Sequence, residues 1–235
     1  MEVIIGAEDF FDMEEAVLVV DEPIKDVSTL PHHQTILVSS ALEEIAPILS
    51  QSTRIYFPLS YYLLHYYKKD TEPLRSKEVY LYFDLQQHAF YPKLEAFAHH
   101  EKHDGTLRLT RSWNAPYLNA YLISDLYVLQ LLRGRCENLS SENDHDEELP
   151  ELRAEGIFPG NLTVQLTYLT NTESKRTLAI EWNSLGESKA QGLDFRETGL
   201  ISRYNIATVK KTALRLDDEF MENLQHLMEF FPTED

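Results

Sequence analysis

The sequence predicts a mixed α/β (α+β) protein: a central mixed sheet with a strand meander, a long central helix and a C-terminal docking helix. Three observations predict it. Short apolar runs alternate with amphipathic stretches through the first 70 residues, 114–135 carries one long helical pattern, and strand periodicity returns after it. At 235 residues and 43% apolar composition, the chain is long enough and apolar enough to bury a sizeable core.

Along the chain, "VIIG" (3–6), "AVLVVDE" (16–22), "TILVSS" (35–40) and "TRIYFPLS" (53–60) read as strands. "ALEEIAPILSQS" and "YYLLHYYKK" read as helices, the first shortened by Pro47. Val79, Leu81 and Phe83 then alternate with Tyr80, Tyr82 and Asp84, which is strand spacing. "HAFYPKLEAFAH" and "TLRLTRSW" extend this to a meander over 79–84, 88–98 and 106–113. Asp104-Gly105 between alternating runs is a hairpin signal, and Pro92 suits an edge strand.

The long helix is expected over 116–133, with Pro116 in its first turn and Gly134 past its end. Leu118, Leu122, Leu126, Leu129 and Leu132 form its stripe, and tyrosines widen the apolar surface. "CENLSSENDHDEELPEL" (136–152) is acidic without a base, so 137–152 reads as a solvated loop or linker between regions 1–136 and 153–235. "LTVQLTYL" and "RTLAIEW" follow as a second hairpin, then "GESKAQG" as a loop. In the final helix Asp217 is the N-cap, and Phe220, Leu224, Leu227 and Phe231 share a face.

The formal charge is −18, from 39 acidic against 21 basic residues. Such a field repels phosphate backbones and anionic membranes and favours basic partners. The one cysteine, Cys136, permits no intrachain disulfide, and its place after a helix end disfavours the thiolate. The N-terminus is acidic where a signal or transit peptide is basic, and no apolar run reaches the roughly 20 residues of a membrane span. The expected location is cytoplasmic.

"HHEKHDG" (99–105) is the densest group of potential ligands. On a helix, Glu95, His99 and His103 would share one face at four-residue spacing and could hold zinc, although HExxH is absent. The preferred strand–turn–strand reading sends His99 and His100 to opposite faces and puts His103 in the turn, so no metal is expected. Ser39-Ser40 lacks the G-x-S-x-G elbow and reads as a helix cap. Neither G-x-G-x-x-G nor G-x-x-x-x-G-K-[ST] occurs, so no nucleotide cofactor is expected through those loops. Tyr62, Tyr66, Tyr117, Tyr121 and Tyr127 are candidate partner-binding residues, since tyrosine concentrates at binding hot spots.

The order of meander, long helix and further strand resembles that of ribonuclease-H-like and actin-like domains. That resemblance would give Asp84, in the first meander strand, a role at a catalytic metal or a phosphate. The Leu85-Gln86-Gln87 that follows lacks the glycine of a phosphate-contacting turn. The expected function is a non-enzymatic protein-binding subunit or adaptor, with a basic-surfaced protein as partner. The alternative is a metal-dependent hydrolase-like or nuclease-like domain, or a degenerate actin-like one, using Asp84.

Overall fold

A computed structural model of the chain describes residues 2–5, 11–12, 18–20, 34–38, 52–67, 69, 71, 74, 76–100, 105–113, 118–144, 151–170, 176–184, 191–199 and 204–231. The expected helix around Pro47 and the Ser39-Ser40 cap lie outside these residues. The chain divides into two compact units, Met1–His88 with Ser202–Met221, and Ala89–Ile201 with Glu222–Asp235.

The first unit holds β1 (Glu2–Ile5), β2 (Phe11–Asp12), β3 (Leu18–Val20), β4 (Gln34–Val38), β5 (Ser52–Pro58), α1 (Leu59–His65), β6 (Glu78–Tyr82) and α2 (Asp84–Gln87). Its sheet runs β14-β6-β5-β4-β1-β3, where β14 is the late strand Leu214–Arg215. All pairings are parallel except that of β14 with β6. Parallel strands covered on both faces lose the apolar–polar alternation. Accordingly Ile55, Tyr56, Phe57 and Pro58 are buried in succession. Phe57 stacks on Tyr61 with ring centroids 5.5 Å apart, and Tyr62 donates its hydroxyl to Met221 Sδ at 3.7 Å. β13 (Tyr204–Asn205) pairs with β2 and leads into α5 (Ile206–Thr212), which Asn205 caps by accepting from Thr208 N at 3.0 Å.

The second unit holds α3 (Tyr91–His100), β7 (Gly105–Trp113), α4 (Leu118–Arg133), β8 (Asn138–Asp144), β9 (Glu151–Phe158), β10 (Leu162–Thr170), β11 (Arg176–Ser184) and β12 (Gln191–Gly199). Its six-stranded mixed sheet runs β12-β11-β7-β10-β9-β8. Here alternation is clean: Leu162, Val164, Leu166 and Tyr168 are buried, with half-buried residues between them. α4 packs on β9, β10 and α3 and leaves the opposite sheet face polar. Gly134, at φ 91°, ends α4 with its N–H on Gln130 O at 2.8 Å, the left-handed cap that glycine adopts without strain.

One ion pair lies inside this unit. Arg111 of β7 reaches inward at 4% exposure, and both its Nε and Nη2 donate to Asp125 of α4, at 2.6 and 2.8 Å. The Tyr168 hydroxyl donates to the same carboxylate at 2.7 Å. Two-pronged contact plus a third donor supplies the hydrogen bonding that a desolvated carboxylate requires.

The final helix, α6 (Asp218–Met228), begins as expected, with Asp217 Oδ1 accepting from Phe220 N at 2.9 Å. Phe220, Leu224 and Leu227 are buried. Residues 222–228 belong to the second unit, where Arg135 binds Glu222 at 2.8 Å and His226 Nε2 meets the Cys136 carbonyl at 3.0 Å.

Mixed α/β character, the long helix and the terminal helix agree with the sequence expectation. The meander does not form. Residues 91–100 are helix α3, so β6 and β7 belong to different sheets and the element order behind the ribonuclease-H-like and actin-like resemblance is gone. Pro92 sits in the first turn of α3, where its missing N–H costs nothing. The second hairpin also fails: β7 lies between β10 and β11, parallel to one and antiparallel to the other. The acidic stretch read as a loop supplies strand β8, paired with β9.

Candidate functional site

In an open parallel sheet, ligands bind outside the carboxyl ends of the strands, where the chain changes direction across the sheet. Here β1 is followed by β3 on one side and by β4 on the other, so this reversal lies between β1 and β4. Gly6 follows β1 directly and Ser39 follows β4, both outside the described residues.

The described part of this carboxyl edge is built by α1 and α2. Pro58 closes β5 with φ −60° and turns the chain into α1 without a break. β6 ends at Tyr82 and only Phe83 intervenes, so Asp84 opens α2 and His88 follows it by one helical turn. His88 Nε2 lies 3.4 Å from Asp84 Oδ2, with the side chains 7% and 13% exposed. A carboxylate beside an imidazole orients the ring, an arrangement used to accept or relay a proton. Gln87, on the same turn, donates through Nε2 to Thr212 Oγ1 at 3.2 Å and to the Phe83 carbonyl at 3.4 Å. Thr212 in turn donates to Thr208 O at 2.9 Å, which ties α2 to α5.

Asp84 is therefore placed at the edge where ligands bind this architecture, with a partner that sequence inspection did not assign. The signal was present: Asp and His at i, i+4 meet only if 84–88 is helical, and the strand reading hid that spacing. Glu95 and His99 share one face of α3 and are exposed, while His103 lies outside the described residues. Among the described residues no three His, Cys, Asp or Glu side chains converge as a metal site. Tyr62, Tyr66 and Tyr127 are 3%, 8% and 2% exposed, so they fill cores instead of offering a surface. Tyr121 is half-buried, and Tyr117 lies outside the described residues. Burial lifts the Tyr66 phenol to about 12 and raises that of Tyr62. Burial likewise pushes the Cys136 thiol up, away from the reactive thiolate. Among the described residues no helix is long and apolar enough to cross a membrane.

Comparison with protein-family models and with curated protein sequences finds no match. Solved structures do match along nearly the whole chain. A probable dehydrogenase from Thermotoga maritima superposes with TM-score 0.57 at 12% identity, covering 98% of this chain and 94% of that one. A dehydrogenase from Chromobacterium violaceum gives 0.56 at 9%, with coverages of 98% and 93%. The WlbA dehydrogenase from Thermus thermophilus, solved with NAD and α-ketoglutarate, gives 0.51 at 12%, with coverages of 85% and 72%. The chain thus shares the α/β fold of these dehydrogenases. That fold corrects the expectation of a non-enzymatic binding subunit or adaptor, along with the hydrolase-like, nuclease-like and actin-like alternatives. That expectation rested on missing motifs and on tyrosines, of which Tyr62, Tyr66 and Tyr127 are buried.

Proposed function

We infer that the chain is an oxidoreductase-type protein that takes a nicotinamide dinucleotide at the carboxyl edge of its parallel sheet. The observation that carries this reading is the strand order, which reverses between β1 and β4 as it does in sheets that hold dinucleotides. The dehydrogenases sharing the fold, one of them solved with NAD, support it.

The residues fit such a group in topology and in one position of the turn. Gly6 stands immediately after β1, the sequence position of the first glycine of the dinucleotide fingerprint. The two further glycine positions of the fingerprint are occupied by Glu8 and Phe11. A carboxylate in place of the second glycine opposes close approach of a pyrophosphate, so dinucleotide affinity is expected to be weaker than in glycine-rich turns. A bound nicotinamide would supply hydride transfer. Interconverting an alcohol and a carbonyl also requires a proton acceptor, and Asp84 with His88 provides one: His88 holds the proton and Asp84 orients the ring.

The test is ligand-dependent thermal stability with NAD+, NADH, NADP+ and NADPH, each taken to millimolar concentration. Ligand at about tenfold its Kd stabilises by about 1.4 kcal/mol. For a chain of this size that is a rise of about 3–6 °C in Tm. No rise with any of the four removes the cofactor reading. A rise that persists in His88→Asn, with oxidoreductase turnover lost, supports the proton role.

A further inference from the structure

Strand β8 ends the mixed sheet of the second unit, and among the described residues it pairs only with β9. Leu139 is buried, but Ser140, Ser141 and Glu142 are exposed in succession, so this stretch of the strand is open on both faces. An open edge presents unpaired N–H and C=O groups that accept another strand.

Beside this edge, on the polar face of the sheet, lies a depression of about 410 Å³ lined by Ser140, Glu142, Arg153, Glu155, Gln165 and Thr167. Among the described lining residues the one cation is Arg153, which faces Glu142 across the β8–β9 pair and donates through Nε and Nη2 to Glu151 at 2.7 and 2.8 Å. Glu155 accepts from the neutral Gln165 amide at 2.8 Å, and Gln165 in turn accepts from Arg108 at 3.0 Å. Glu142 has no ion pair among the described residues, and Asp144 closes the same strand. Three carboxylates, Glu142, Glu151 and Glu155, thus surround the single guanidinium of Arg153 here, a local excess of negative charge. A second copy of this chain is a poor occupant: pairing β8 with itself would bring like charges together at roughly 1 kcal/mol each in water, on chains of charge −18. A strand bearing Lys or Arg reverses the sign of that term.

We propose that the β8 edge docks a basic, extended segment of a partner protein, which adds as a further strand. Its alternate Lys or Arg side chains lie across the depression onto Glu142 and Glu155. Backbone pairing gives affinity, and the two carboxylates select basic over acidic segments. This surface belongs to the second unit, and the inference is independent of the cofactor reading.

The experiment is fluorescence anisotropy on the full chain with a labelled peptide of alternating Lys and Thr. Controls are the same peptide with Glu for Lys, the Lys peptide N-methylated at alternate residues, and spermine as competitor. The expected result is saturable binding of the Lys peptide that weakens as salt rises. The Glu peptide and the N-methylated peptide do not bind. Glu142→Gln and Glu155→Gln each weaken binding by about two- to fivefold, the range of exposed ion pairs. Glu219→Gln, an exposed acid on α6, leaves it unchanged. Urea midpoints matching the parent confirm that each variant is folded. Equal binding of the N-methylated peptide, full displacement by spermine, indifference to Glu142→Gln, or no saturable binding would each overturn the proposal.

Discussion

Replacing Asp125 by alanine should destabilise the second unit more than any surface substitution. The change leaves the Arg111 guanidinium, 4% exposed, without the carboxylate that accepts from it at 2.6 and 2.8 Å. It also removes the acceptor of the Tyr168 hydroxyl, which is wholly buried. Truncating one partner of a buried ion pair costs about 3–5 kcal/mol, because the surviving charge stays desolvated. The orphaned hydroxyl costs about 1–3 kcal/mol, but both penalties come from one cavity and overlap. A net loss of about 4 kcal/mol corresponds to a fall in Tm of about 8–16 °C for a chain of this size. The assay is available in the fold, since both tryptophans, Trp113 and Trp182, lie on β7 and β11 of this unit. Tryptophan fluorescence therefore follows its unfolding separately from that of the first unit. Removing both charges, as Arg111→Met with Asp125→Leu, should restore most of the loss, because no charge is then buried alone. A fall below about 2 °C in Asp125→Ala, or a double variant as unstable as the single one, refutes the argument that desolvation sets the cost.

Other outcomes follow from single contacts. Gly156→Ala would bring a Cβ to 3.1 Å from Leu139 Cδ1 and 3.2 Å from Cys136 Sγ, so overpacking of about 1–3 kcal/mol should lower the urea midpoint. Asp217→Ala removes the cap on Phe220 N and should cost about 0.5–2 kcal/mol, while Asp217→Ser should recover most of it. Burial holds the Tyr66 phenol at about 12, whereas in the unfolded chain it ionises near 10. Below pH 10 both states keep the proton and this group gives no pH dependence. Between about pH 10 and 12 only the unfolded state releases it, so stability should fall as pH rises. Urea midpoints across that interval check the sign, and Tyr66→Phe should flatten part of the slope.

How far the residues alone carry the fold differs by element. Periodicity located β5, α1, β6, β7, β10, β11 and the long helix, because each buries a face set by its own local pattern. It misread 91–100, where "YPKLEAFAHH" suits either state and Asp104-Gly105 tipped the choice toward a turn. Gly105 does sit at φ 150°, a conformation glycine favours, but it opens β7 after a helix and not after a strand. β12 went unseen, since "QGLDFRETG" is glycine-flanked and polar and is held by its pairing with β11. The acidic strand β8 was missed for the same reason: its burial is slight, and its register comes from β9.

The sequence by itself determined the mixed α/β class, the acidic field, the caps at Asp217 and Gly134 and the absence of a glycine-rich phosphate loop. These are properties of neighbouring residues or of the whole composition. Only the tertiary structure decided which strands are neighbours. It put β7 between β10 and β11, reversed the strand order at β1 and β4, and turned Asp84 toward His88 at the carboxyl edge. Strand order is a long-range choice fixed by which apolar faces bury one another, and no short window of residues contains that information.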